Sequence, residues 1–392
     1  MTLPDEALSE SCRAEQSVAT DLPLLLSDLA RWVNMDSPAA SSEACNRLAA
    51  TLAESLEAYG LCPELVDVGD EPGRYLHAGL EGNGTARVAL LGHHDTVFPL
   101  GTAAGRPFVR NGDRLHGPGV ADMKGGLALA AHTARALAAG PRPFGLLEIV
   151  SASDEESRPQ VLRTIDRLDD FDAVLCLECG RADGSIVSAR KGARWLRVHA
   201  AGRAAHAGVD PSSGRNAVIA LCREGIRLAE VDGARDGMTL EVTEFASADG
   251  INTVPAHASL AIDLRGLTGS DLDWAMSRVR SWGEHDGITL TEEDLGGPPP
   301  LERTAGVAAL ADAAIELGAA LGHHFGGATT GGVSDGSWTA WRGVPTLDGL
   351  GPVGGLDHTP DEYVQLESFA PRAGVVAGLV AAVDRGLLRD LS

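Results

Sequence analysis

The stretch Val88-Ala89-Leu90-Leu91-Gly92-His93-His94-Asp95-Thr96-Val97 decides how the chain is read. Its first four residues form an apolar run of the kind that makes a buried strand. A histidine and a carboxylate two residues apart then stand at the mouth of that strand. Either group needs a partner there to offset its desolvation. One partner is a metal, bound by His93, with Asp95 behind the imidazole to orient and polarise it. The plainer alternative is a satisfied core histidine beside a turn aspartate, and the rest of the chain has to choose.

Moving outward, strand and helix patterns alternate. Helical periods run through residues 21 to 60, with Leu24, Leu25, Leu29, Trp32 and Val33 on one face and a second stretch from Ala44 to Tyr59. Short alternating runs lie between Leu61 and Leu80. After the central strand come a helix from about Gly125 to Ala139, a strand at Leu146–Ser151, a helix at Val161–Leu168 and a strand at Ala173–Leu177. This order predicts an α/β fold with a doubly wound, mostly parallel sheet. Such sheets bind ligands at the carboxyl ends of their strands, where the chain also places its other polar clusters. Asp122 sits among glycines in Gly117-Pro118-Gly119-Val120-Ala121-Asp122, just before a helix, where Asp is also a common N-cap. Asp154-Glu155-Glu156 follows the 146–151 strand, and at least one of the three is expected to face the cleft. Glu178 ends an otherwise apolar strand. His358 lies in the glycine-rich loop Gly354-Gly355-Leu356-Asp357-His358. Histidine, aspartate and glutamate at successive strand ends form a nitrogen-and-carboxylate set that zinc accepts, and an aspartate shared by two ions gives a two-metal centre.

Length and composition narrow the alternatives. A chain of 392 residues exceeds what one core usually supports, so two domains are expected. A net charge of −23 argues against nucleic acid and anionic membrane as partners, and 4% aromatic content offers no stacking platform. The first twenty residues lack the basic start and apolar core of a signal peptide. Apolar runs such as Ala373 to Val383 are too short to span a bilayer. Six scattered cysteines suggest reduced thiols and a cytoplasmic location. Cys176 and Cys179 fit C-x-x-C, but three residues apart in a strand they point to opposite faces, so no thiolate site is expected.

With these clusters in place, the chain resembles the zinc-dependent metallopeptidases that include glutamate carboxypeptidase, aminoacylase and succinyl-diaminopimelate desuccinylase. The resemblance rests on GHHDTV, GPGVADMKGG, DEE, GRAAHAG and GLGPVGGLDHTPDEYV, and is nearest to the glutamate carboxypeptidase branch. It implies two zinc ions per subunit, with cobalt or manganese as substitutes. His93 and Glu178 would hold one ion, Glu156 and His358 the other, and Asp122 would bridge them. Asp95 would orient His93, Glu155 would be the general base, and the Asp122–Met123 peptide would be cis. The resemblance also implies a catalytic domain in two parts, residues 1–192 and 299–392, flanking an inserted α+β lid and dimerisation domain at 193–298. Within the insertion, His206 would stabilise the oxyanion in a neighbouring subunit's site, while Asn252 and Arg265 would hold a substrate carboxylate. The implied partners are a small amide substrate and a second copy of the chain. Three departures bear on specificity: Ser157-Arg158-Pro159-Gln160 after the acids, Ser247-Ala248-Asp249-Gly250-Ile251-Asn252 where a Gly-Gly pair is more usual before the asparagine, and glutamate at 178, which in this family accompanies deacylases more than peptidases.

Overall fold

The computed structural model describes residues 3–69, 73–157, 161–248, 250–389 and 391. The chain divides into a larger unit, Met1–Ala189 with Arg303–Thr330 and Ser334–Ser392, and a smaller one, Arg190–Glu302 with Gly331–Val333.

The larger unit begins with three helices, α1 (Asp5–Thr20), α2 (Leu22–Val33) and α3 (Ser42–Ala58), and continues through β1 (Cys62–Asp67), β2 (Arg74–Glu81) and β3 (Arg87–His93). Next come α4 (Gly125–Ala138), β4 (Leu146–Ala152) and β5 (Ala173–Cys176). After the smaller unit the chain adds α5 (Ala305–Ala320), β6 (Thr346–Leu347) and α6 (Phe369–Asp384). Its main sheet has the order β1-β2-β4-β3-β5-β6. The pairs β4–β3, β3–β5 and β5–β6 are parallel, whereas β1–β2 and β2–β4 are antiparallel.

Strand alternation sorts the core into two layers. Val88 and Leu90 of β3 join Leu147, Ile149, Ala173 and Leu175 on the face covered by the helices. Ala89 and Leu91 join Val150, Ala152 and Val174 on the other face. Cys176 and Cys179 fall in different layers, and all six cysteines are free thiols. The helix α1, whose buried stripe is Ala7, Ser11, Ala14 and Val18, packs on α6. The helical run Leu366–Asp384 is apolar enough to cross a membrane, yet 83% of it is buried within this unit. A helix apolar all round and enclosed in this way is a core helix.

The second layer corrects one expectation. Residues 161 to 168 do not form an α-helix; only a 3₁₀ turn, Ile165–Arg167, is present. Leu162, Ile165, Leu168 and Phe171 all enter the core layer behind β3 and β4. A strict spacing of three matches the three residues per turn of 3₁₀ geometry better than the 3.6 of an α-helix.

The smaller unit holds a four-stranded antiparallel sheet in the order Thr239–Ala246, His257–Gly266, Gly192–Ala201, Thr289–Gly296. Helices Ala217–Leu228 and Gly269–Val279 cover one face. Leu196, Val198 and Ala200 alternate into this core opposite Ile262, Leu260 and Ala258. The strand Thr289–Gly296, with exposed Glu292, Glu293 and Asp294, carries too little apolar alternation to be read from sequence. Charged side chains of this kind protect an edge strand from further pairing.

Candidate metal centre

The centre lies wholly within the larger unit. The end of β3 delivers His93, whose side chain is only 1% exposed. Its Nε2 lies 2.9 Å from Asp122 Oδ1 and 3.7 Å from Glu178 Oε1. On the other side, His358 Nε2 lies 3.1 Å from Asp122 Oδ2 and 3.2 Å from Glu156 Oε2. Two trios therefore form, His93–Asp122–Glu178 and Asp122–Glu156–His358, each with its donor atoms within 4.8 Å of one another. Asp122 gives one oxygen to each.

Ligands bound tetrahedrally at ~2.0–2.2 Å from zinc stand about 3.3–3.6 Å apart. The four separations above, 2.9 to 3.7 Å, bracket that range, so shifts of a few tenths of an ångström would bring each pair to it. Glu156 Oε1 is buried with no hydrogen-bond partner. A buried carboxylate oxygen in that condition is costly unless something positive meets it. The donor set, its spacing and this orphaned oxygen all suit a divalent ion.

The local field points the same way. Hydrogen bonds to Asp122 and Glu156 push His358 up to about 11, against burial. Burial disfavours the charged form of His93, but Asp122 and Asp95 outweigh it and hold its pKa well above the usual range. Burial would raise Asp122, and the two imidazoles more than reverse that. The carboxylates therefore hold an excess of negative charge around the two imidazoles, which a bound cation would offset.

Backbone geometry sets these side chains. The Asp122–Met123 peptide is cis, and Asp122 has extended dihedrals (φ −121°, ψ 92°) just before α4. Gly119 has φ +75°, and a Cβ there would lie 2.6 Å from Thr96 Cγ2. Leu356 and His358 both occupy the left-handed region, at φ 60° and 63°. Non-glycine residues there carry strain that concentrates at functional positions.

Asp95 is fully buried and reaches three groups. Its Oδ1 lies 3.3 Å from His93 Nδ1 and accepts the Glu155 N–H at 3.2 Å, while Oδ2 accepts the Glu156 N–H at 3.0 Å. Glu155 belongs to neither trio. Its pKa is raised well above the usual carboxylate value by burial, with Asp335, Glu178 and Glu156 adding to the shift and His93 opposing it. Of the three consecutive acids, Asp154 turns away and pairs with Tyr75 and Arg163. The adjacent His94 also faces away, its Nδ1 2.9 Å from Ser151 Oγ, and burial pushes it down to about 4.

The remaining predicted residues belong to the smaller unit. His206 is exposed, and its Nδ1 accepts the N–H groups of Gly208 and Val209 at 3.1 and 3.2 Å. A short ladder pairs His206 with Thr253, so exposed Asn252 is its near neighbour. Arg265 makes a two-pronged pair with Asp263 at 2.8 and 2.9 Å and donates to Gly331 O at 2.9 Å. Arg158 lies outside the described residues.

Sequence reasoning missed Glu362. It is fully buried and accepts from the N–H groups of Gly119, Ala121 and Asp122. Its only signal was the apolar pair Tyr363-Val364 that follows, which marks a strand start where one of two adjacent acids must face inward.

On a mostly parallel sheet, two imidazole-and-carboxylate trios that share one aspartate, with Glu155 beside them, define a metal-dependent hydrolase. Residues 89–382 match the description Peptidase family M20/M25/M40, and the chain belongs to that family. It is 28% identical to carboxypeptidase G2 of Pseudomonas sp. (strain RS-16), over 95% of this chain and 92% of the relative. It is 27% identical to succinyl-diaminopimelate desuccinylase of Alkalilimnicola ehrlichii, over 84% of this chain and 92% of the relative. In fold it is similar to aminopeptidase PepT from Bacillus cereus, with a TM-score of 0.76 at 20% identity, covering 92% and 98% of the two chains. The protein is thus a hydrolase of the peptide or acyl-amino-acid type.

Proposed function

We propose that this protein hydrolyses the amide bond of small N-acyl amino acids or dipeptide-like compounds bearing a free carboxylate, using two zinc ions held by the two trios. The observation that carries this reading is the division of Asp122 between His93 and His358, with Glu155 beside both trios yet ligated to neither. Bound there, two divalent cations would polarise the scissile carbonyl and acidify a water.

The chain's own groups supply the rest. Glu155, its carboxyl raised by burial, accepts the attacking water's proton and returns it to the departing nitrogen, as base and then acid. Asp95 fixes the backbone of Glu155 and Glu156 while it orients His93. His206 stabilises the oxyanion from a neighbouring subunit of a homodimer, and Asn252 and Arg265 hold the substrate carboxylate. For Arg265 this means exchanging its pair with Asp263 for the substrate.

Hydrolysis of N-acyl glutamates compared with a panel of other N-acyl amino acids tests the substrate class. Preference for glutamate or aspartate at the carboxylate side supports a carboxypeptidase, whereas indifference to that residue with strict choice of acyl group supports a biosynthetic deacylase. Glutamate at 178 favours the deacylase arm. A non-catalytic binding role on the same fold predicts no turnover with any member, and equal behaviour of wild type and Glu155→Ala. Light scattering tests the dimer, and fractionation tests the cytoplasmic location.

A further inference from the structure

Three backbone N–H groups in the loop before α4 converge on one side chain. Gly119 donates to Glu362 Oε2 at 3.0 Å, and Ala121 and Asp122 donate to Oε1 at 2.8 and 3.0 Å. In this loop the three groups have no backbone carbonyl to pair with among the described residues, and buried N–H groups require a partner. Left unpaired at this depth they would carry their full desolvation cost. A single carboxylate relieves all three.

The side chain that does so comes from the segment that also carries His358, four residues earlier. The strand Tyr363–Gln365 pairs on one side with Gly354–Gly355 and on the other with Arg114–His116. His116 Nδ1 lies 3.0 Å from the Glu362 carbonyl oxygen. The segment bearing one imidazole and the loop bearing the shared aspartate are therefore joined twice, by a small sheet and by the Glu362 carboxylate. The contact between Asp122 Oδ2 and His358 Nε2, at 3.1 Å, spans the same seam. Rotating the Asp122 backbone would withdraw both of its oxygens together; its own dihedrals are non-helical, within a turn closed by Lys124 N–H to Gly119 O at 2.7 Å.

We propose that Glu362 is a positioning residue that staples the Asp122 loop to the His358 segment, so that one aspartate presents an oxygen to each ligand trio. This rests on the two-metal reading above. The staple acts through backbone N–H groups and touches no substrate, so it governs how tightly the ions are held.

The test compares wild type, Glu362→Gln and Glu362→Ala by zinc competition against a chromophoric chelator, together with hydrogen exchange over residues 117–124. Glutamine can place its carbonyl oxygen at the Oε1 position, keeping the bonds to Ala121 and Asp122 and losing that to Gly119. Groups that orient metal ligands typically contribute about tenfold to a hundredfold in affinity, so Glu362→Ala should lose that much and Glu362→Gln less. Exchange over 117–124 should quicken in the same order. A folded Glu362→Gln protein that binds zinc within about twofold of wild type and exchanges equally slowly overturns the proposal. So does a variant with a lower melting temperature but unchanged zinc affinity, since that is a structural role alone. If Glu362→Ala does not fold, Glu362→Gln decides by the same criteria. If wild type itself binds no zinc, the two-metal reading falls. Exchange in Glu362→Gln then decides the staple alone: faster exchange supports it, and unchanged exchange overturns it.

Discussion

The predicted site residues of the two units differ in burial, although His358 of the larger unit is 53% exposed and held by Asp122 and Glu156. In the larger unit, His93 and Asp95 are buried against each other, and buried Glu362 is held by three backbone N–H groups. In the smaller unit, His206 and Asn252 are exposed on a two-residue ladder, and Arg265 is engaged by Asp263 on its own strand. Buried polar groups must be satisfied where they stand, so their geometry is specified by the fold. Exposed ones are satisfied by water and free to take a partner. Chemistry that depends on ångström placement falls in the first region, and recognition of a variable substrate suits the second.

Substitutions can break this comparison or sharpen it. The largest effect is expected for Glu155→Ala, which should lower kcat by about 10²–10⁴-fold while zinc content by atomic emission stays at the wild-type level. A variant that loses its metal as well would place Glu155 among the ligands. His206→Ala should cost about 10²–10³-fold in kcat, in the range of a lost oxyanion donor, with zinc content and melting temperature unchanged. Unaltered steady-state kinetics would leave His206 as a turn residue. Asp95→Ala should weaken zinc binding about tenfold to a hundredfold, read by chelator competition, because it leaves His93 Nδ1 only the residue 95 carbonyl, 3.1 Å away, and frees the backbone of Glu155 and Glu156. The smallest effect concerns packing beneath the centre. A Cβ on Gly126 would lie 2.1 Å from Leu177 O, where α4 crosses the end of β5. Gly126→Ala should therefore destabilise by about 1–3 kcal/mol through overpacking, despite the better helix propensity of alanine, as chemical denaturation would show.

How much of this was legible in the sequence follows from how each residue announces itself. His93, Asp122 and Glu178 stand out because polar groups interrupt apolar strands or glycine-rich turns, where desolvation has to be offset. Asp154-Glu155-Glu156 was legible only as a group, since three consecutive acids do not reveal that the first is buried against Tyr75 and Arg163 while the other two face the ligand trios. Glu362 was hidden by its exposed neighbour Asp361, which makes the pair resemble a solvated turn. The helix expected at 161–168 failed because Leu162, Ile165 and Leu168 repeat every three residues, a spacing that a loose helical template accepts. The strand Thr289–Gly296 was obscured by its acidic outer face. Burial contrasts were readable, then, and the direction of individual side chains within a charged run was not.

The central claim is that Asp122 is shared between two metal ions. Anomalous diffraction at the zinc absorption edge tests it most directly on crystals of zinc-loaded protein. The account predicts two peaks per chain, one within about 2.2 Å of donor atoms from His93, Asp122 and Glu178 and the other equally close to Asp122, Glu156 and His358. A single peak, or a pair of peaks that leaves Asp122 unliganded, would contradict it.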